Sequence, residues 1–190
     1  MFDNKRLLSE TFLVTGEVDK VSKVNYDTIK SHILSHHKKE NYLSDNPVFY
    51  KKDHFKIGYH QHIQWVSDYI RDMFNIEYEK YLHTLNKNYE DNISAIVLQP
   101  NQSLITHNHI NPYDLDCSPD VSCYLNLTED KNLPKLVFEY DDHRKKELRL
   151  IQKLFKNKFV LFSSSLNHYT MRNETDKDII LLCLKYSCNK

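Results

Sequence analysis

The period of the hydrophobic positions changes about halfway along the chain. From His62 to about Leu85, the residues Ile63, Val66, Ile70, Met73, Phe74, Tyr81, Leu82 and Leu85 recur near the helical period with Glu and Lys between them. That spacing predicts one long amphipathic helix with its apolar stripe on a core. Upstream, Phe12, Leu13 and Val14 make a short apolar run from Thr11 to Thr15 that stops at Gly16 and predicts an opening strand. Asn25-Tyr26-Asp27 then stands where a cap is needed for a shorter helix through Ile29, Ile33 and Leu34. The polar run His36 to Lys39 reads as a solvated helix end, and Trp65, one place off the long stripe, as a packing residue.

From about Asn92 the spacing becomes that of strands. Ile93 to Leu98, Leu104 to Ile110, Val121 to Leu127, Leu136 to Tyr140, Phe159 to Phe162 and Ile179 to Tyr186 are short apolar or alternating runs. Polar turn segments separate them, among them Gln99-Pro100-Asn101-Gln102 and Glu174-Thr175-Asp176-Lys177. Helices first and serial short strands afterwards predict an α+β layout in which the strands form a sandwich or squashed barrel and the helices buttress it. In the run Val121 to Leu127, the set Ser122, Tyr124 and Asn126 faces one way and Val121, Cys123, Leu125 and Leu127 the other; we place the polar set inside. The 190 residues read as a single domain, with 1–91 as helical support plus an opening strand and 92–190 as the β core.

Composition narrows the chemistry. A hydrophobic fraction of 40% and a charged fraction of 27% suit a water-soluble folded chain. The 26 Lys+Arg balance the 26 Asp+Glu, so no general field holds the chain on nucleic acid or anionic lipid. With only 2 Gly there is no glycine-rich phosphate cradle of the P-loop or dinucleotide-binding kind. The 4 Cys, at 117, 123, 183 and 188, have no metal-finger or disulfide-scaffold spacing and read as reduced thiols. Met1 to Glu10 has no apolar leader core and no run approaches a membrane span, so the expected location is the cytoplasm, away from membranes.

The candidate chemistry lies in histidines. His107 and His109 are two apart in Leu104-Ile105-Thr106-His107-Asn108-His109-Ile110, so on a strand both imidazoles leave the same face. A third, His168, follows the strand Phe159 to Phe162 and the turn Ser163 to Asn167. If the later strand lies beside the earlier one, three imidazoles converge and leave the far side of a metal open.

This order of elements resembles the double-stranded β-helix, the jelly-roll or cupin-like barrel, of the Fe(II)/2-oxoglutarate-dependent oxygenases. The resemblance runs from about Asn92 to Tyr186 and is most specific in Phe159-Val160-Leu161-Phe162-Ser163-Ser164-Ser165-Leu166-Asn167-His168. It is similar to the prolyl- and aspartyl/asparaginyl-hydroxylase pattern, and most similar to small proteins of that kind from marine bacteriophages. The resemblance implies about eight strands after Asn92 with the 62–85 helix on the outer face. It also implies Fe(II) on His107, His109 and His168, with Tyr124, in Cys123-Tyr124-Leu125-Asn126, assisting 2-oxoglutarate. Two departures stand out. The family's usual His-x-Asp or His-x-Glu is here His107-Asn108-His109, which leaves Asp114 or Asp116 as reserve carboxylates. The arginine expected nine or ten places beyond the distal histidine is here Lys177, with Arg172 in reserve.

The implied activity is a dioxygenase, in particular a hydroxylase. Charge balance favours an amino-acid, peptide or protein side chain over nucleic acid as substrate. Two rivals remain open: a three-histidine cupin-like metalloenzyme without 2-oxoglutarate, and a non-catalytic β-helix binding module. Asp141-Asp142-His143 and Arg144-Lys145-Lys146 read as hairpin-tip and turn residues.

Overall fold

The computed structural model describes residues 11–18, 23–41, 50–51, 54–78, 93–115, 118–129, 134–141 and 147–188. Its elements are β1 (Leu13–Glu17), α1 (Tyr26–Asn41), β2 (Tyr50–Lys51), β3 (Phe55–Lys56), α2 (Gln61–Tyr78), β4 (Ser94–Leu98), β5 (Ser103–Leu104), β6 (Val121–Asn126), β7 (Lys135–Asp141), β8 (Glu147–Lys153), β9 (Lys158–Ser163), β10 (Asn167–Thr170) and β11 (Ile179–Tyr186). Among the described residues, the eight strands β4 to β11 follow residue 92, as the resemblance implied. An antiparallel sheet in the order β1-β9-β6-β11-β4-β3 faces a three-stranded sheet, β10-β7-β8, and β2 pairs with β5 alone.

Two cores follow from this layering. On the outer face of the six-stranded sheet, Ile29 and Ile33 of α1 and Ile63, Val66, Ile70 and Phe74 of α2 pack against Ala95, Val97, Cys123, Leu125, Leu161, Leu182 and Leu184. Each of the buried Val, Leu, Ile and Phe side chains among these contributes about 1.5–3 kcal/mol relative to exposure. The N-terminus of α1 is capped as expected: Asn25 Oδ1 accepts from Thr28 N at 3.1 Å. Helix α2 is tied to β11 where Ser67 Oγ donates to Tyr186 Oη (3.2 Å) and Tyr186 Oη donates to Ser67 O (3.1 Å). Between the two sheets lies the second core, of Ile96, Leu98, Tyr124, Leu136, Phe138, Val160, Phe162, Ile179, Leu181 and Cys183. Strands β4 and β6 are therefore buried on both faces. Tyr124 points between the sheets while Cys123 and Leu125 point at the helices, as the alternation predicted.

Some elements differ from expectation. The run Leu104 to Ile110 is not a continuous strand: β5 ends at Leu104, and His107 makes a single bridge to His168. Strands β8 and β10 carry no clear apolar alternation, β8 being exposed along nearly its whole length. Helix α2 is described as far as Tyr78, in agreement with the predicted stripe, and residues 79–85 of the predicted helix lie outside the described residues. Trp65 is half-buried beside His62, ring centroids 5.1 Å apart. Among the described residues, no helix is long and apolar enough to cross a membrane.

Candidate metal centre

The backbone brings His107, His109 and His168 to one place. His107 N donates to His168 O (3.0 Å) and His168 N to His107 O (2.9 Å), while His109 N donates to Ser164 O (2.9 Å). The first histidine segment is thus laced along the end of β9 and the start of β10. Ring centroids are 4.3 Å apart for His107 and His168, 4.9 Å for His109 and His168 and 5.3 Å for His107 and His109. One ring nitrogen from each of the three lies within 4.8 Å of the other two.

Hydrogen bonds to the outer nitrogens set which way the rings face. His107 Nδ1 donates to Ile105 O and His168 Nδ1 to Leu166 O, both at 2.9 Å, because a carbonyl can only accept. In the neutral ring this leaves Nε2 of each with a lone pair directed into the cluster. His109 Nδ1 is held at 2.5 Å by Ser122 Oγ, itself 2.7 Å from Ser164 Oγ. Burial, reinforced by His54, His168 and Lys185, holds His109 well below the ordinary imidazole range. Burial and then the neighbouring His107 take His168 to about 3, against the opposing pull of the Leu166 carbonyl. Both rings are therefore neutral at ordinary pH, the form that ligates metal.

Tyr124 Oη stands among these nitrogens, 2.9 Å from His168 Nε2, 3.3 Å from His109 Nε2 and 3.5 Å from His107 Nε2. Burial raises its pKa well above 10, so it remains a phenol with one proton to donate. Three further residues of the site have no counterpart in the motif. His54, just before β3, puts Nε2 2.9 Å from Tyr124 Oη and 3.3 Å from His107 Nε2. Cys183 of β11 has Sγ within 4.8 Å of a ring nitrogen of both His54 and His109. Lys185 lies two residues further on the same inward face, in register with Ser122, and its charge lowers the pKa of His54 and His109. Lys185 was visible in the alternation of β11; His54 carried no signal in sequence.

The other anticipated residues stand apart from this cluster. Lys177 is exposed in a turn where Asn173 Nδ2 and Thr175 Oγ1 donate to its carbonyl at 2.8 and 3.0 Å. Its charge acts on Glu129, beyond the far end of β6 from Ser122. From Ile179 to Lys185 alone the strand spans about 20 Å. Arg172 is exposed and lines an outer groove with Ile105, Tyr169 and Met171. Asp114 is exposed in the loop after His109, and Asp116 lies outside the described residues, as do Asp142, His143 and Arg144 to Lys146. Neither group of potential ligands among the described residues includes a carboxylate.

The donor set fits a divalent cation of the borderline kind that prefers imidazole. Lone pairs at the part-buried His107 and the buried His168 face inward, and one phenolic proton is shared among several nitrogens. A cation in the cluster would meet several of these lone pairs at once.

No family model matches the chain, and no curated protein does. Solved structures do match. A non-heme alpha ketoglutarate dependent carbocyclase, SnoK from nogalamycin biosynthesis, superposes with a TM-score of 0.64 at 10% identity, covering 93% of this chain and 80% of that one. A prolyl hydroxylase from Trichoplax adhaerens, solved with a hypoxia inducible factor oxygen degradation domain peptide fragment, superposes with a TM-score of 0.59 at 12% identity, covering 92% and 83%. At such identities the likeness is one of fold. The chain has the α+β double-stranded β-helix, or cupin-like jelly roll, found in these oxygenases.

Proposed function

We propose that this protein is a mononuclear non-haem metal oxygenase: Fe(II) on His107, His109 and His168, 2-oxoglutarate as cosubstrate, and an amino-acid, peptide or protein side chain as the group hydroxylated. The observation that carries the proposal is the convergence of three imidazoles, two with their outer nitrogens committed to backbone carbonyls, inside a barrel of the oxygenase fold. When bound, the metal and cosubstrate supply the oxidation of a C–H bond by dioxygen, with decarboxylation of 2-oxoglutarate to succinate.

The chain's own residues supply position and charge. Ile105 and Leu166 carbonyls and the Ser122–Ser164 pair hold the three rings in their tautomers and orientations. Tyr124 keeps its proton and offers it as a hydrogen bond to an oxygen ligand on the ion. With no carboxylate among them, His107, His109 and His168 would leave the charge of a bound divalent ion to be offset by an anionic ligand such as a dicarboxylate. We assign the ammonium that meets the far carboxylate to Lys185, the described cation on the inward face of β11 beside the cluster, in place of Lys177.

One observation favours a second reading. Deeper in the barrel the interior is closed by Phe138, Phe162, Leu136, Leu181 and Ile179, all buried, with no cation among them. A metalloenzyme using the same histidines without 2-oxoglutarate needs no space there. The deciding experiment loads chelator-treated protein anaerobically with Fe(II), adds dioxygen with and without 2-oxoglutarate across a panel of amino acids and peptides, and measures succinate. Succinate that requires both iron and 2-oxoglutarate supports the first reading. Metal uptake without succinate supports the second, and a chain that takes up no metal refutes both.

A further inference from the structure

We propose that His54 is a fourth imidazole ligand of the same metal ion, reaching the centre from outside both the His-x-His segment and the distal histidine. The inference rests on the metal-binding part of the proposed function and is independent of 2-oxoglutarate.

His54 approaches Tyr124 Oη as closely as His168 does, each Nε2 at 2.9 Å. It stands edge-on to its neighbours, with ring centroids 4.9 Å from His109 at 82° and 5.4 Å from His107 at 87°. Its other nitrogen, Nδ1, lies 3.3 Å from Ser94 Oγ, so the ring is held from behind like the other three. What marks it as a ligand is the 3.3 Å between His54 Nε2 and His107 Nε2. Two nitrogens each about 2.0–2.1 Å from one ion at the tetrahedral angle lie about 3.3–3.4 Å apart. At the same distance one ring N–H can meet the other ring's lone pair, so in the metal-free protein the two nitrogens share a proton at the place where a cation would lie between them.

The contrast with the other histidines is clear. His32, His36, His60 and His62 also gather, on the helical side, with ring centroids 4.5 Å (His32 to His36), 4.7 Å (His32 to His60) and 5.4 Å (His60 to His62). Among the described residues, no three of their nitrogens come within ligating distance of one another, whereas His54 falls in a group with His109 and Cys183 that shares His109 with the group of His107, His109 and His168. His54 instead arrives through the short β3–β4 pairing, Phe55 opposite Ala95, which sets the preceding residue over the end of the barrel.

Affinity alone does not separate a ligand from a residue behind one, since a supporting residue already changes metal affinity by about 10–100-fold. The test therefore reads the ligand field. Chelator-treated parent protein, His54→Ala and His168→Ala are titrated with Co(II) and followed by visible absorption and by the imidazole scattering in the cobalt X-ray absorption spectrum. The expected result is a parent spectrum of a four-nitrogen site, a shifted and weaker visible band in His54→Ala with one imidazole fewer, and recovery of the parent band on adding free imidazole. His54→Gln, which keeps a side chain able to bond Tyr124, is read the same way and serves if the alanine variant does not fold. An unchanged cobalt spectrum in both His54 variants, with His168→Ala losing it, overturns this inference and leaves the three-histidine centre standing. A parent protein that shows no cobalt spectrum overturns the metal centre itself, and His54 with it.

Discussion

Acid should unfold the metal-free protein through its buried histidines, and His168 shows how strongly. In the folded chain His168 is fully buried and its pKa is about 3, against about 6.5 when unfolded. Between those values the unfolded chain binds a proton that the native chain refuses, so stability is full above pH 6.5 and falls as pH drops through it. From pH 7.5 to pH 5 the loss is about 2 kcal/mol for this one group, at 1.36 kcal/mol per unit. The figure hardly depends on the folded value, because at pH 5 any native pKa below about 4 gives nearly the same loss. His54 and His109, held well below their ordinary value by burial first and by neighbouring charges second, act in the same direction. The assay is urea unfolding of chelator-treated protein at pH 7.5 and pH 5, comparing the parent with His168→Gln, whose amide does not titrate. The parent should lose about 2 kcal/mol more than the variant over that interval. Equal losses would mean that His168 takes up its proton as readily in the folded protein as in the unfolded chain, and the argument for a neutral, ligand-ready imidazole would fail.

Other consequences are open to measurement. Gly16→Ala places a Cβ into the ring of Phe159, opposite it across β1 and β9; thermal or urea unfolding should show a loss of about 1–3 kcal/mol, the usual cost of overpacking. For 2-oxoglutarate binding to the Fe(II)- or Mn(II)-loaded protein, calorimetry should show Lys185→Ala weaker by about 1.5–3 kcal/mol, the worth of a charge-assisted hydrogen bond, and Lys177→Ala unchanged; the reverse pattern returns the role to Lys177. Metal content after dialysis against limiting Fe(II) should fall to background in His168→Ala and stay at the parent level in Asp114→Asn, while comparable loss in both would point to a loop carboxylate on the ion.

Local pattern determined a good deal of this protein. The stripe Ile63, Val66, Ile70 and Phe74 is the buried face of α2, because a helix packed on a sheet must present one side at the helical period. Strand β6 shows the same logic at period two: Tyr124 goes to the barrel interior and Cys123 and Leu125 to the helices. The three histidines the motif singled out do come together, since His-x-His spacing survives even where the backbone is a bridge and not a strand. Strand β8 was hidden, its residues exposed along nearly the whole length and its composition as charged as a turn.

What the tertiary structure alone decided is which distant groups share the site. His54 is one histidine among 11 with no periodic neighbour, and it joins the cluster only because β3 pairs with β4. Lys177 and Lys185 lie on one face of the same run in sequence, and only the register of β11 with Ser122 shows which of them lies at the end where the histidines gather. Side-chain period is a property of a few consecutive residues and can be read from them. Depth in a barrel and adjacency across strands depend on pairings between residues far apart in the chain, and no local spacing carries them.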